Sequence, residues 1–228
     1  MKSSFAETGP VRTDTVSFFM KDKKMNQILL ETAQNLNSMG FHAEVFDTGA
    51  QAAQRAVSLI GKQSAGFGGS DTVESLGIYE ALESQGNTLY WKRKLPAERH
   101  DWARRRAMEA DWYLLSANAL TVTGKIINVD GHGNRVAASV YGPKRVIYIV
   151  GRNKVVAGTL EDGLRRAHQE ACSVIARRKD RRTPCAQNGA CVDCKSPDRC
   201  CRATIIVEKP MTMGQQVYVL LVDEALGV

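Results

Sequence analysis

Two long runs of apolar, strand-forming residues constrain the fold of this chain more than any other feature. The first extends from Arg145 to Val150 and the second from Gln216 to Val222. Both are almost continuously apolar, which is typical of strands buried on both faces of a parallel sheet. Other strand patterns alternate with helical patterns along the chain, so the sequence predicts parallel βαβ units and an α/β layer fold.

The periodicity of the remaining apolar residues predicts the other elements. Helices are predicted over residues 14–39, 50–60, 73–84, 97–109, 136–141 and 160–178, strands over 41–46, 64–67, 88–91 and 111–116, and a hairpin turning at Gly124 within 121–127. Asp71 and Glu74 fit a capping box at the start of the third helix. Residues 1–13 are expected to form a flexible arm, and residues 14–228 a single domain.

The charge balance favours anionic partners. Lys and Arg total 31 against 24 Asp and Glu, which gives a net charge of +7. Much of the excess lies in two basic runs, 104–106 and 177–182, which are predicted to be solvated helix faces or ends. Neither run has aromatic residues interleaved with its cations, which argues against nucleic acid as a partner. The sequence shows no secretory signal pattern and no apolar run of membrane-spanning length, so we expect a cytoplasmic protein without a membrane partner.

A polar, glycine-rich stretch, residues 128–135, follows the apolar run that ends at Val129. It supplies the carboxylate of Asp130, the imidazole of His132 and the guanidinium of Arg135 at one predicted strand end. Ligands of open α/β sheets bind outside the carboxyl ends of the strands. Asp130 and His132 are therefore candidates for proton transfer, with His132 having an ordinary pKa near neutrality. The alternative is a solvated turn with Asp-Gly geometry.

Polar residues also follow three other predicted strands. A Gly-Gly-Ser turn precedes the third helix, and such a turn presents free backbone N–H groups that favour phosphate or carboxylate. Asn118 lies just past one strand, and Asn153 and Lys154 just past another. Each feature also has a structural interpretation, as an ordinary helix cap or turn. Together they predict an anion-binding site at one edge of the sheet.

Five of the six cysteines lie within residues 185–201, in a segment that Pro184, Gly189 and Pro197 are expected to keep as a loop, 183–202. Thiolates this close in sequence can ligate an iron–sulfur cluster or zinc. Candidate metal ligands are Cys185, Cys191, Cys194 and Cys200. Disulfide or redox pairing and plain reduced thiols remain open alternatives. Cys172 lies at an apolar helical position and is predicted to pack in the core.

Several segments, taken in order, resemble the LUD domain family, which includes lactate utilisation proteins of the LutC/YkgG type. The resemblance covers about residues 14–226 and is carried by residues 67–74, 117–121, 127–135, 142–144 and 150–154. The segment 183–200 resembles a cysteine-bearing branch of that family. The resemblance implies a Rossmann-like, three-layer α/β fold with a mostly parallel sheet, as in the NagB/RpiA/CoA-transferase-like superfamily.

The resemblance also implies functional residues. In sugar-phosphate isomerases of that superfamily a Gly-rich Ser/Thr loop holds phosphate, which points to Gly68, Gly69, Ser70 and Thr72 here, and an Asp-Gly motif supplies an acid/base carboxylate, which points to Asp130. At the pathway level it implies participation in the oxidation of L-lactate to pyruvate, with companion iron–sulfur proteins as partners.

Three functional hypotheses follow. In the first, a small anionic ligand binds at the strand ends, contacted by Ser70, Thr72, Asn118, Asp130, Asn134, Arg135, Asn153 and Lys154, with Arg135 and Lys154 holding the anion. In the second, the chain is a non-catalytic assembly subunit that carries a cluster or metal on its cysteines. In the third, which ranks last, residues 177–182 bind nucleic acid. The sequence leaves open whether the chain forms a homo-oligomer.

Overall fold

The computed structural model describes residues 13–228 of the chain, with the side chains of residues 25–228. The predicted N-terminal arm lies outside the described residues, apart from Thr13, which begins the first helix. Helices occupy α1 (Thr13–Ser38), α2 (Gly49–Ile60), α3 (Asp71–Ser75), α4 (Ile78–Ser84), α5 (His100–Ala107), α6 (Asn134–Tyr141), α7 (Leu160–Arg165), α8 (Ser173–Arg178) and α9 (Pro184–Asn188). A π-helical stretch, Arg166–Cys172, joins α7 to α8.

The strands are β1 (His42–Phe46), β2 (Ala65–Phe67), β3 (Leu89–Tyr90), β4 (Trp112–Leu115), β5 (Ala119–Thr121), β6 (Ile126–Asp130), β7 (Arg145–Gly151), β8 (Val155–Val156), β9 (Ala203–Val207) and β10 (Gln216–Val222). Six of them form one sheet in the order β1-β10-β7-β4-β2-β3, and all its pairs are parallel. The expected α/β fold with a mostly parallel sheet is therefore confirmed.

The two apolar runs that dominate the sequence form neighbouring central strands, β7 and β10, whose side chains alternate between two cores. On β7, Val146, Tyr148 and Val150 pack with α1 and α6, whereas Ile147 and Ile149 pack with α2 and α4 on the opposite face. All five are fully buried. Helices thus cover both faces of the sheet, which gives the three layers that the resemblance implied.

A second, four-stranded sheet has the order β8-β5-β6-β9. The hairpin predicted to turn at Gly124 forms its antiparallel β5-β6 pair, and Gly124 has a φ of +85°. Strand β9 was not predicted from the sequence; it pairs antiparallel with β6 and ends the cysteine-rich segment. Residues of the π-helical stretch cover this sheet, with Ala167 and Cys172 packed against Ile127 and Val129. Cys172 is thus a core residue, as expected.

Three local predictions were wrong. The helix predicted over residues 73–84 is divided into α3 and α4, because Gly77 between them has a left-handed φ of 64°. The predicted capping box does not form, since the side chain of Ser70, and not Asp71, accepts the hydrogen bond of Val73 N at 3.2 Å. The cysteine segment is also not entirely a loop, because α9 lies within it. None of the helices from residue 13 onward combines the length and hydropathy needed to cross a membrane.

A glycine in β2 tests the packing of this sheet against α5. A Cβ atom placed on Gly66 would lie 2.4 Å from the backbone oxygen of Ala107, a contact that a rigid helix cannot relieve without moving. We expect Gly66→Ala to lower the free energy of unfolding by about 1–3 kcal/mol in urea denaturation. Gly69→Ala is the matched control, because nothing lies within 4 Å of its added Cβ. Equal stability of the two variants would contradict this packing.

Candidate functional site

A cleft of about 620 Å³ opens where the connections after β2, β4, β6 and β7 meet. The predicted site residues that line it are Gly69, Ser70, Thr72, Asn118, Asp130, His132, Asn134, Arg135, Lys154 and Cys200. The residues that follow β2, β4 and β7 meet there because parallel strands bring their carboxyl ends to one edge of the sheet. Asp130, His132, Asn134 and Arg135 come from the end of β6 in the second sheet. Gly68, Asn153, Cys185, Cys191 and Cys194 do not line the cleft.

Lys154 lies on the cleft wall as the last residue of a single 3₁₀ turn, Arg152–Lys154, that follows β7. The residue is only 3% exposed. Its Nζ atom donates hydrogen bonds to Thr72 Oγ1 at 2.7 Å and to Ser116 Oγ at 2.9 Å. Thr72 Oγ1 in turn donates to the carbonyl of Leu226 at 3.1 Å. The amine is thus held by two hydroxyl oxygens, one from helix α3 and one from the residue directly after β4.

The environment of Lys154 favours the neutral amine. Burial lowers its pKa to about 7, and the positive charges of Arg166 and Arg135 add to this effect, whereas Asp71 opposes it. No carboxylate of residues 25–228 lies within ion-pair distance of Nζ. A buried lysine with this pKa is partly deprotonated near neutral pH, which is the state in which an amine can act as a base or nucleophile.

Asp130 ends β6, and its carboxylate caps helix α6. Its oxygens accept hydrogen bonds from the backbone N–H groups of Arg135 at 2.8 Å, His132 at 3.3 Å and Val136 at 3.4 Å. Burial acts to raise the pKa of this carboxyl, but the charge of Arg135 and the three backbone donors outweigh it, so the pKa is lowered. Asp130 is therefore an ionised carboxylate at neutral pH. Its proposed part in proton transfer stays a prediction.

Arg135 lies beside Asp130, with its Nε atom 3.8 Å from the carboxylate. Its Nη2 group donates to the carbonyl of Val129, whereas Nη1 makes no hydrogen bond to residues 25–228. The stem packs over Gly68, where an added Cβ would lie 3.0 Å from Arg135 Cγ and 3.2 Å from the hydroxyl of Tyr113. The absence of a side chain at Gly68 thus leaves space for the stem of Arg135 beside the cleft.

Other predicted site residues have structural partners as well. Ser70 caps α3. Asn118 Oδ1 accepts a hydrogen bond from Val129 N at 2.9 Å, which joins the segment after β4 to β6. Asn134 Nδ2 lies 3.5 Å from the hydroxyl of Tyr113. Asn153 Oδ1 accepts from Leu226 N at 3.0 Å and so holds the segment that runs past Thr72 and Lys154.

His132 is exposed on the cleft rim. Partial burial and the nearby positive charges of Arg104 and Lys92 lower its pKa below the ordinary value, so it is neutral near pH 7. A neutral imidazole at the mouth of the cleft can accept a proton from a bound ligand.

The sequence did not indicate the cations that surround the cleft mouth. Lys92, Lys179 and Arg181 line it, and their side chains form no ion pair with any residue of 25–228. Lys179 and Arg181 belong to the basic run that was predicted to be a solvated helix end. They are indeed exposed, but the fold places them at the cleft. Ser116 was also missed, although its place directly after the buried strand β4 was a usable signal.

The cysteine-rich segment forms one side of the cleft through Cys200. All six thiols are free. Across the part of the chain that the structure describes, no three His, Cys, Asp or Glu side chains are grouped so that they could hold a metal ion. Cys185, Cys191, Cys194 and Cys200 are therefore not gathered into such a group. Metal binding there stays a prediction, and the chemistry of the cleft does not require it.

Comparison with known proteins gives two matches. The family model of the LUD domain matches residues 29–222. The crystal structure of a DUF162 family protein from Deinococcus radiodurans is similar with a TM-score of 0.51 at 14% identity, over 87% of this chain and 98% of that chain. At this identity the structural likeness shows a shared fold alone. No curated protein matches the chain.

The lowered pKa of Lys154 makes stability depend on pH. Between its folded pKa of about 7 and its ordinary value of 10.5, the unfolded chain binds a proton that the folded protein does not. We therefore expect the free energy of unfolding of wild type to rise with pH through this interval, relative to Lys154→Met, by at most about 1.4 kcal/mol per pH unit. Urea denaturation at several pH values measures this difference.

Lys144→Met serves as the control, because Lys144 is exposed just before β7 and far along that strand from the cleft. Its stability should follow the wild-type pH dependence. Parallel curves for wild type and Lys154→Met would show that Lys154 keeps its proton in the folded protein.

Proposed function

We propose that this chain, which belongs to the LUD domain family, binds a small carboxylate ligand in the cleft. We also propose that it takes part in lactate utilisation. The family is associated in general with that process, in which L-lactate is oxidised to pyruvate. One observation carries the proposal. Separate segments of the chain bring Arg135, Lys154 and polar groups to one cleft, and its mouth is lined by cations that form no ion pair within residues 25–228.

The charges in the cleft suit a small anion. Nine Lys or Arg residues line it, against the carboxylates of Asp71, Asp130 and Asp198. Asp71 is already paired with Arg93 at 2.7 Å and Arg178 at 2.9 Å, and Asp130 with the start of α6. A surplus of positive charge remains, so an incoming carboxylate is attracted to the cleft.

Arg135 is the residue best placed to bind the carboxylate. Its Nη1 group is free of partners in residues 25–228, while Nη2 and the stem are fixed by Val129 and Gly68. A guanidinium fixed in this way donates charge-assisted hydrogen bonds with little further loss of side-chain freedom. Asn118 lines the same cleft, and its Nδ2 group, which makes no hydrogen bond within residues 25–228, can donate to a hydroxyl or carbonyl oxygen of the ligand.

Binding of L-lactate, pyruvate and ribose 5-phosphate, measured by isothermal titration calorimetry, tests the proposal. We expect Arg135→Gln to weaken the binding of lactate or pyruvate about tenfold or more, because a charge-assisted hydrogen bond is lost. Arg165→Gln is the matched control, since Arg165 is exposed and its ion-pair partner is Asp162, away from the cleft. Thermal melts without ligand establish that each variant is folded.

Two outcomes would contradict the proposal. One is that neither carboxylate binds the wild-type protein. The other is that Arg135→Gln and Arg165→Gln bind them as wild type does. Tighter binding of ribose 5-phosphate than of both carboxylates would instead point to sugar-phosphate chemistry in the same cleft.

A further inference from the structure

We propose that the Lys154 amine is a nucleophile that forms an imine with the carbonyl carbon of a 2-oxo acid bound in the cleft. This inference rests on the proposed function, because it takes the ligand to be a small carboxylate. It adds the class of that ligand, a 2-oxo acid and not only a 2-hydroxy acid, and a covalent step at a named atom.

The hydrogen bonds around Nζ match a neutral amine. A neutral amine has two N–H donors and one lone pair, whereas an ammonium has three donors and no lone pair. Thr72 Oγ1 and Ser116 Oγ accept one hydrogen bond each from Nζ, at 2.7 and 2.9 Å. No third acceptor for Nζ is found in residues 25–228. Two acceptors satisfy both N–H groups of the amine, and its lone pair remains available to an electrophile.

The two hydroxyl groups are themselves oriented as acceptors. Thr72 Oγ1 donates its own hydrogen to the carbonyl of Leu226, and Ser116 Oγ donates to the carbonyl of Ala117 at 3.5 Å. Both oxygens therefore present lone pairs, and not hydrogens, toward Nζ. This arrangement keeps the nitrogen lone pair from being used as an acceptor for Thr72 or Ser116.

The charged groups around Lys154 also favour the reactive state. Arg166 and Arg135 place positive charge near Nζ, while Asp71 is engaged with Arg93 and Arg178. Burial at 3% exposure disfavours the ammonium further. Desolvation of a lysine beside other cations is an established way of activating an amine toward carbonyl groups.

The location of Lys154 agrees with a ligand held by Arg135. Both residues line the same cleft, and the positive charge of Arg135 contributes to lowering the pKa of Lys154. A 2-oxo acid whose carboxylate contacts Arg135 carries its electrophilic carbon on the adjacent atom. A 2-hydroxy acid has no electrophilic carbonyl carbon, so the Lys154 amine reacts with a 2-oxo acid and not with the corresponding 2-hydroxy acid.

The proposed step balances without any other reactant. The nitrogen lone pair attacks the carbonyl carbon, a C–N bond forms, and the C–O π electrons move to the oxygen. The two hydrogens of the amine then leave with that oxygen as water, and a C=N bond replaces the C=O bond. Before the attack, Thr72 Oγ1 and Ser116 Oγ accept the hydrogen bonds of these two N–H groups and so orient the amine.

Reductive trapping tests this inference. The wild-type protein is incubated with pyruvate and sodium cyanoborohydride, and the modified peptide is identified by mass spectrometry. We expect one stable adduct on Lys154, lost in Lys154→Arg and retained in Lys144→Arg. Lys154→Arg keeps a cationic side chain but cannot form an imine. Incubation with L-lactate in place of pyruvate should give no adduct, because lactate has no carbonyl group at C2.

The outcomes separate this inference from the proposed function. If calorimetry shows that pyruvate binds but trapping leaves Lys154 unmodified, the amine is not a nucleophile and the carboxylate site stands. The amine is likewise not the nucleophile if the adduct is spread over surface lysines and persists in Lys154→Arg. If Lys154 is modified to the same extent in wild type and in Arg135→Gln, the result supports Lys154 as the nucleophile and contradicts the proposed contact between Arg135 and the carboxylate. Absence of both binding and adduct would overturn both.

Discussion

The parallel pairing of the six central strands is the constraint on which the candidate site depends. Because every strand of that sheet runs in one direction, the residues that follow β2, β4 and β7 must emerge at the same edge. Thr72, Ser116 and Lys154 meet there, although 82 residues separate the first from the last. A single antiparallel strand among these three would have sent one of the partners to the opposite edge. The hydrogen bonds of Lys154 are thus a consequence of the sheet direction.

The second sheet adds the other half of the cleft. Its strand β6 ends in Asp130, whose carboxylate caps α6 and so fixes the turn that carries His132, Asn134 and Arg135. Asn118, at the end of the connection from β4, fixes that connection to β6 by accepting a hydrogen bond from Val129 N. Several polar groups at the site therefore stabilise the fold around the cleft. Arg135 Nη1, Asn118 Nδ2 and the lone pair of Lys154 Nζ are among the groups that keep capacity for a ligand.

Burial acts in opposite directions on the two main charged groups. Taken alone, burial would raise the pKa of Asp130 and lower that of Lys154, as expected when a charged form loses water. Asp130 has Arg135 and three backbone donors that restore its charge, whereas Lys154 has only hydroxyl oxygens and distant Asp71. A carboxylate that stays ionised and an amine that loses its proton near neutrality therefore lie in one cleft. The difference comes from their partners and not from the depth of burial.

The sequence by itself determined the fold class and most of the elements. Continuous apolar, β-branched runs such as β7 are typical of strands covered on both faces, and their alternation with helical patterns along the chain indicates a parallel sheet. It also indicated many of the residues that line the cleft, because polar residues directly after buried strands emerge at the edge of the sheet where ligands bind. Only the tertiary structure decided which of these residues are engaged by other parts of the protein and which keep groups that a ligand can contact. The capping role of Asp130, the packing of Gly68 under Arg135 and the arrival of Lys179 and Arg181 at the cleft all depend on contacts between segments far apart in the chain. Such contacts are set by how the layers pack, and no local pattern of residues encodes that geometry.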